Sequence, residues 1–280
     1  MKQRSLVRTS LPHAAAVAGG AALAVVGARE VVRRQAHVAR LAIGKPLGED
    51  AHVADKVYRK RNGRPIELLL LGDSIAAGLG ADRPKRTLGA QLAKRLADRS
   101  ERAVRLHTAA VVGSETSMLR AQLAGLPPDY AADVAVIVVG GNDVTHRVRT
   151  SVSCAHLGEA ITALQSRGTR VVVGTCPDLG ALSPVPQPLR TMAGMASRQL
   201  ASAQRDLVTG LGERAVSLHH VVGPFFLAEP DTMFAVDRFH PSGAGYRRTA
   251  KAMLPSVLAA LGYDTLLPFG HHEPLPRVRR

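Results

Sequence analysis

The sequence predicts an α/β domain built on a parallel sheet of five strands with helices over both faces. Three observations support this. Short apolar runs alternate with helical segments from residue 66 onward, which is the pattern of repeated strand–helix–strand units. The runs are continuously apolar, as in strands buried on both faces. The chain has 280 residues and is 46% apolar, enough for one large domain with a sizeable core.

The first half of this domain alternates strands and helices. Apolar runs at 66–71, 104–112 and 133–139 have the length of buried strands. Leucines at four-residue intervals predict a helix over 87–99. A second helix, over 117–126, ends where two prolines follow, because proline cannot continue a helix.

The second half continues the alternation. A helix over 152–167 ends just before a glycine, which suits a helix C-terminus. A strand at 170–174, a long helix over 192–211, a strand at 214–218 and a final helix over 243–261 follow. Parallel strands need right-handed crossovers of this kind, so the helices should cover both faces of the sheet.

Polar or flexible residues follow several of the predicted strands. Ser74 follows the first strand, Gly113 the second and Asn142 the third. The segment 176–189 follows the fourth and contains four prolines, which predicts a loop. In parallel α/β sheets, ligands bind outside the carboxyl ends of the strands. The sequence therefore predicts a functional site at this edge, with the proline-rich loop shaping its pocket.

Ser74 is a candidate nucleophile. It follows Gly72 and Asp73 on a tight strand-to-helix turn. Such a turn projects the serine hydroxyl, and the serine N–H points into the same space. The alternative is a serine that only caps a helix.

His240 is a candidate base. Asp237, three residues earlier, can orient the imidazole and stabilise its charged form. The alternative is an aspartate that caps a turn beside a surface histidine. A hydroxyl, an imidazole and a carboxylate are the parts that serine-based acyl transfer requires.

Asn142 and Gly113 are candidate donors to an oxyanion. The side-chain amide of Asn142 and the backbone N–H of Gly113 could stabilise the negative charge that develops during acyl transfer. The alternatives are an asparagine and a glycine that only permit turns. Asp143 is predicted to brace this loop and is given no chemical role.

Other site classes are disfavoured. The chain lacks the G-x-S-x-G elbow around Ser74, which argues against an α/β-hydrolase. Gly78-Leu79-Gly80 lacks the third glycine and the downstream acid of a dinucleotide site. Aromatic residues make up only 3% of the chain and Trp is absent, which argues against an aromatic sugar platform or a base-stacking surface.

The chain is strongly basic, with a formal net charge of +15. Its Lys and Arg residues are spread along the sequence without a recognisable nucleic-acid-binding motif, so no nucleic-acid partner is expected. An anionic membrane surface is a better candidate partner for this charge. The alternative is a solvated basic surface.

The N-terminus predicts export or membrane attachment. Residues 11–28 carry no Asp, Glu, Lys or Arg and follow a basic start, as in a signal peptide or anchor. A cytoplasmic protein with a plain N-terminal helix is the alternative. The predicted organisation is a signal or anchor at 1–28, a charged helical linker at 29–64, the α/β domain at 65–265 and a basic tail at 266–280.

The chain has two cysteines, Cys154 and Cys176. Their spacing does not match a metal site. They fall on neighbouring predicted elements, so a disulfide could form in an oxidising compartment. Two free thiols are the alternative.

Four segments, taken together, resemble the SGNH hydrolases, also called the GDSL esterase/lipase family. Residues 72–75 resemble the first block of that family, with Ile75 in place of the usual leucine. Gly113 lies where the second block places its glycine. Residues 140–143 resemble the third block and residues 237–240 the fifth. The resemblance spans about residues 66–262.

The resemblance implies a flavodoxin-like three-layer α/β/α fold and a reaction that needs no cofactor or metal. By it, Ser74 is the nucleophile, His240 the base and Asp237 its orienting acid. The oxyanion hole comprises the Ser74 N–H, the Gly113 N–H and the Asn142 side chain.

The function that follows is hydrolysis of carboxylic esters through an acyl-serine intermediate. The expected substrate is a small acyl ester or a lipid. An acyltransferase of the same fold and a non-catalytic envelope binding protein are the alternatives. The sequence leaves the oligomeric state open.

Overall fold

The computed structural model describes residues 11–275, with side chains from residue 26 onward. The basic start of the chain and the last five residues of the predicted basic tail lie outside the described residues. Much of the predicted signal or anchor at 1–28 lies outside the described side chains as well. Where side chains are described, no helix is both long and apolar enough to cross a membrane.

The described chain forms strands and helices in alternation. The strands are β1 (Val57–Tyr58), β2 (Ile66–Gly72), β3 (Val104–Thr108), β4 (Val134–Val138), β5 (Arg170–Gly174), β6 (Arg214–Val216) and β7 (His271–His272). The helices are α1 (Leu11–Ile43), α2 (Ser74–Ala77), α3 (Leu88–Ser100), α4 (Leu119–Ala124), α5 (Gly141–Thr145), α6 (Thr150–Gln165), α7 (Leu189–Gly210), α8 (Leu218–Val221), α9 (Gly223–Ala228), α10 (Pro230–Met233) and α11 (Gly243–Ala260). Single 3₁₀ turns occupy Pro84–Arg86, Thr116–Met118 and Leu179–Ala181.

The sheet runs in the order β1-β3-β2-β4-β5-β6-β7. Its five central strands are parallel, and their order is that of the flavodoxin-like doubly wound fold. The predicted parallel sheet is therefore confirmed at its centre, but β1 and β7 add short antiparallel edges. Two-residue strands carry no periodic signal in the sequence, which is why the prediction missed them.

Two apolar cores lie on opposite faces of the sheet. Because side chains alternate along a strand, Leu68 and Leu70 of β2 face one core while Leu69 and Leu71 face the other. Helices α3 and α11 cover the first face, and α4, α6 and α7 cover the second. The result is the expected three-layer α/β/α arrangement.

Several elements differ from the sequence prediction in ways that concern the site. The second predicted strand, 104–112, has regular strand structure only as far as Thr108. The loop after it still donates to β2, from Ala109 to the Leu70 carbonyl and from Val111 to the Gly72 carbonyl. The predicted strand 214–218 ends at Val216, and Leu218 begins the first of three short helices, α8 to α10, over residues that the sequence otherwise left unassigned. Both changes lie at the carboxyl edge of the sheet.

The chain outside the predicted domain also takes part in the fold. Helix α1 is continuous across residue 28, the boundary predicted between signal and linker. Strand β1 comes from the predicted linker and β7 from the predicted tail, so the sheet extends beyond residues 65–265. Cys154 and Cys176 are both free, with Cys176 buried and Cys154 packed against its cluster.

Candidate active site

Ser74 begins α2 directly after β2. Asp73 caps this four-residue helix, because its Oδ1 accepts a hydrogen bond from the Ile75 N–H at 2.9 Å. Gly72 has a φ of +130°, and a side chain there would collide with the carbonyl of Val138 on β4. A glycine at this position therefore lets the chain turn tightly and bring Ser74 to the sheet edge.

The structure brings Ser74, His240 and Asp237 together, as predicted. Ser74 Oγ lies 3.0 Å from His240 Nε2, and His240 Nδ1 lies 2.6 Å from Asp237 Oδ2. A carboxylate can only accept, so the Nδ1 proton points at Asp237 and Nε2 is left to accept the serine proton. This is the geometry of a nucleophile, a base and an orienting acid.

A tight turn fixes the aspartate and the histidine relative to each other. The second carboxylate oxygen of Asp237, Oδ1, accepts from the backbone N–H groups of Phe239 and His240 at 3.0 Å each. Burial raises the pKa of Asp237, but the hydrogen bonds from His240 and these N–H groups outweigh it, and the net pKa is lowered. Ser242 caps α11 immediately afterwards, because its Oγ accepts from the N–H groups of Ala244 and Gly245.

Asn142 lies at the predicted edge, on the short helix α5, and its side chain lines the cavity beside Ser74. One hydrogen of its amide nitrogen is donated to the carbonyl of Ser114 at 2.9 Å. The second hydrogen is available to an oxyanion. Gly113 precedes Ser114 in the loop after β3 and is exposed, with a φ of +81°.

Two buried side chains near the site were not assigned chemistry from the sequence. Asp143 accepts a hydrogen bond from the Thr116 N–H at 3.0 Å, so it braces the loop, as predicted. Gln122 was missed. The only sequence signal for it is a polar residue on the buried side of a predicted helix.

Asp73 is the most perturbed carboxyl group of the site. Burial raises the pKa of Asp73 to about 7. Repulsion from Asp143 also raises this pKa, whereas the hydrogen bond from the Ile75 N–H and the attraction of His240 lower it in part. A carboxyl group with this pKa is partly protonated near neutrality. It therefore places less negative charge beside Ser74 than an ordinary aspartate would.

A cavity opens beside Ser74 and His240. It encloses about 780 Å³, part of which is open to solvent. Its walls are mainly apolar, with three of the five phenylalanines of the chain among them. The proline-rich segment contributes Leu179, Ala181 and Leu182, which agrees with the predicted loop at the pocket. In the described part of the chain, no group of three or more His, Cys, Asp or Glu residues is arranged to hold a metal ion.

Comparison with known proteins assigns the family. The GDSL-like lipase/acylhydrolase family matches residues 70–248. A GDSL-like esterase of Mycobacterium tuberculosis is 35% identical over an alignment that covers 100% of this chain and 96% of that protein.

Solved structures share the fold. A lipase/acylhydrolase from Enterococcus faecalis superposes with a TM-score of 0.57 at 19% identity, covering 69% of this chain and 95% of that one. An acetylxylan esterase from Geobacillus stearothermophilus superposes with a TM-score of 0.55 at 18% identity, covering 72% and 96%. With the family match and the full-length relative, they lead to one conclusion: the chain belongs to the GDSL-like lipase/acylhydrolase family, the SGNH hydrolases, and is an enzyme of the esterase and lipase class.

Proposed function

We propose that the protein hydrolyses carboxylic esters through an acyl intermediate on Ser74. The observation that carries the proposal is the unbroken set of contacts from Ser74 Oγ through His240 to Asp237, at 3.0 and 2.6 Å, beside an apolar cavity. The contacts supply a nucleophile that can be activated, and the cavity supplies a place for an acyl chain.

Acylation begins when Ser74 Oγ attacks the ester carbonyl carbon. His240 Nε2 takes the hydroxyl proton, and Asp237 stabilises the resulting imidazolium. The Ser74 N–H and the Asn142 amide donate to the oxyanion, with the Gly113 N–H as the proposed third donor. When the carbonyl re-forms, the bond to the leaving alcohol oxygen breaks and His240 returns its proton to that oxygen.

Deacylation repeats these steps with water. His240 Nε2 takes a proton from the water molecule as its oxygen attacks the acyl carbon, and the same donors hold the new oxyanion. Collapse breaks the bond to Ser74 Oγ, which regains a proton from His240. The acid leaves and the enzyme returns to its starting state.

The cavity supports an apolar acyl group as the part of the substrate that is bound. Leu182, Val222 and Phe226 line the cavity and are buried. Removing apolar surface from water contributes about 0.8 kcal/mol per buried methylene. Esters with a medium-length acyl chain should therefore bind more tightly than acetate esters.

The test compares the full chain with its Ser74→Ala variant on p-nitrophenyl acetate and octanoate. We expect turnover that Ser74→Ala abolishes and that a control substitution at an exposed serine, Ser151→Ala, leaves unchanged. A fluorophosphonate probe should label Ser74 and no other residue. Full turnover by Ser74→Ala would overturn the proposed mechanism.

The acyl acceptor is tested in the same assay. With an added alcohol, a hydrolase releases the free acid as its main product. An acyltransferase forms a new ester instead. A folded protein that neither turns over esters nor reacts with the phosphonate would favour the non-catalytic binding protein.

We also propose that α1 holds the protein on an anionic membrane surface after export. The arginines of its described part (Arg29, Arg33, Arg34 and Arg40) are exposed, and so are Val31, Val38 and Leu41. Basic and apolar side chains together favour anionic lipid. We expect the full chain to sediment with phosphatidylglycerol vesicles and not with phosphatidylcholine vesicles. If the protein sediments with neither kind of vesicle, the membrane proposal is wrong and the basic residues form a solvated surface.

A further inference from the structure

One buried side chain, Gln122 of α4, contacts both segments that carry the proposed catalytic groups. Its Oε1 accepts from the Gly72 N–H at 2.9 Å, and its Nε2 donates to the Gly72 carbonyl at 2.7 Å. The same Nε2 lies 3.1 Å from Ser114 Oγ. Gln122 is 7% exposed and Ser114 is 1% exposed, so these bonds are made away from bulk water.

The bonds to Gly72 complete the hydrogen bonding at the end of β2. On its β4 side, β2 remains paired as far as Gly72. On the other side, β3 ends at Thr108, opposite Leu70, but the N–H groups of Ala109 and Val111 still donate to the carbonyls of Leu70 and Gly72, at 2.9 and 3.2 Å. The N–H of Gly72 has no strand partner on this side, and an unpaired N–H in the interior is costly. The side-chain amide of Gln122 supplies an acceptor to this N–H and a second donor to the Gly72 carbonyl.

The bond to Ser114 links this turn to the oxyanion loop. The carbonyl of Ser114 accepts from the Asn142 amide at 2.9 Å, and Gly113 is the preceding residue. Gln122 therefore contacts the residue two before Ser74 and the residue that orients Asn142. One rigid side chain spans the gap between the proposed nucleophile and the proposed oxyanion donors.

We propose that Gln122 is a positioning residue that sets the distance between Ser74 and the oxyanion donors. The inference rests on ester hydrolysis at Ser74. The distance matters most when the tetrahedral oxyanion forms, because the donors must lie about 3 Å from it. Loss of Gln122 should therefore lower kcat and leave the apolar acyl pocket, and hence KM, nearly unchanged.

The test is Gln122→Leu in the full chain, which keeps most of the side-chain volume and removes the three hydrogen bonds. Gln165→Leu is the control, because the part-buried Gln165 also joins distant parts of the chain, donating to the Leu211 carbonyl and to the buried Glu213, both at 2.9 Å. It lies at the end of α6, away from the cavity.

We expect Gln122→Leu to lower kcat by about 10- to 100-fold, a loss typical of a misplacement near 1 Å, with KM within about threefold. Titration with a fluorophosphonate counts the competent sites, so the loss is measured per active molecule. Gln165→Leu should lower Tm and leave kcat per site unchanged. Equal losses of kcat in the two variants, or an unchanged kcat per site in Gln122→Leu, would overturn the inference.

A second variant, Gln122→Glu, tests the inference if Gln122→Leu does not fold. As a carboxylate, the introduced group accepts from the Gly72 N–H but repels the Gly72 carbonyl. As a carboxylic acid, it donates its proton to that carbonyl and restores both bonds. The ratio of variant to wild-type kcat should therefore rise as pH falls, and a ratio independent of pH would overturn the inference. If Ser74→Ala retained turnover, the proposed function itself would be wrong, independently of the results for the Gln122 variants.

Discussion

Replacing Asp237 with asparagine should disable the proposed base without disturbing the fold. Asp237 Oδ1 holds the N–H groups of Phe239 and His240, and Oδ2 accepts from His240 Nδ1. In Asp237→Asn, the oxygen keeps the two N–H groups, because an NH₂ group cannot accept from them. The NH₂ group then faces Nδ1 and donates to it, which moves the imidazole proton to Nε2.

The expected loss follows from this change of tautomer. A protonated Nε2 cannot accept the proton of Ser74 Oγ, although it lies 3.0 Å away. The substitution also removes the negative charge that stabilises the imidazolium. In a serine triad this exchange costs about 10⁴-fold in kcat, which corresponds to about 5.5 kcal/mol of transition-state stabilisation.

The assay is kcat/KM on p-nitrophenyl octanoate at neutral pH, with Tm measured for each variant. Asp231→Asn is the control, since Asp231 is 88% exposed and only faces Arg238 at 3.6 Å. It should stay within about twofold of wild type. A loss of less than tenfold in a folded Asp237→Asn variant would refute the assigned role of Asp237.

Three further outcomes test the pocket, the turn and the sheet edge. Ala181→Phe places a ring in the cavity lining, so kcat/KM should fall at least about tenfold for octanoate and stay within about threefold for acetate; equal losses in a chain-length series would argue against this cavity as the acyl site. Gly72→Ala forces a Cβ against the Val138 carbonyl at a φ of +130° and should cost more than about 4 kcal/mol of unfolding free energy. Gly168→Ala, which meets nothing within 4 Å at a φ of +75°, should cost about 1 kcal/mol in the same denaturant titration. Burial lowers the pKa of His271 to about 4, so the unfolded chain binds more protons between pH 4 and about 6.5. Stability should therefore fall as pH drops through this window, by less than the roughly 3 kcal/mol that the full shift would give, because the ring is only partly buried and solvent screens it; an equal acid slope in His271→Gln would exclude His271 as the cause.

The central strands and the candidate site residues could be predicted from the sequence because their signals are local. Residues 66–71 form a continuous apolar run, and this run became β2. Ser74 and Asn142 each follow such a run, so a parallel sheet must bring them to one edge. Asp237 and His240 are three residues apart, and one turn places them in contact.

The remaining features depend on contacts between residues far apart in the chain. Strands β1 and β7 have two residues each, and pairing with β3 and β6 defines them. Gln122 and Gly72 are 50 residues apart in the chain, so the sequence near either residue does not predict their contact. The cavity walls come from segments around residues 74, 179, 222 and 240.

Short-range patterning along this chain was thus enough to indicate an α/β sheet, its approximate strands and the four candidate side chains of the site. Periodicity and turn chemistry act over a few residues, and this short range is sufficient to predict the strands and the candidate residues that follow them. The spacing of the proposed oxyanion donors, the shape of the cavity and the contacts of Gln122 with Gly72 arose from packing. Each depends on contacts between segments that are distant in the chain. Buried polar groups are hydrogen-bonded in folded proteins, and the partner of such a group is set by the tertiary structure.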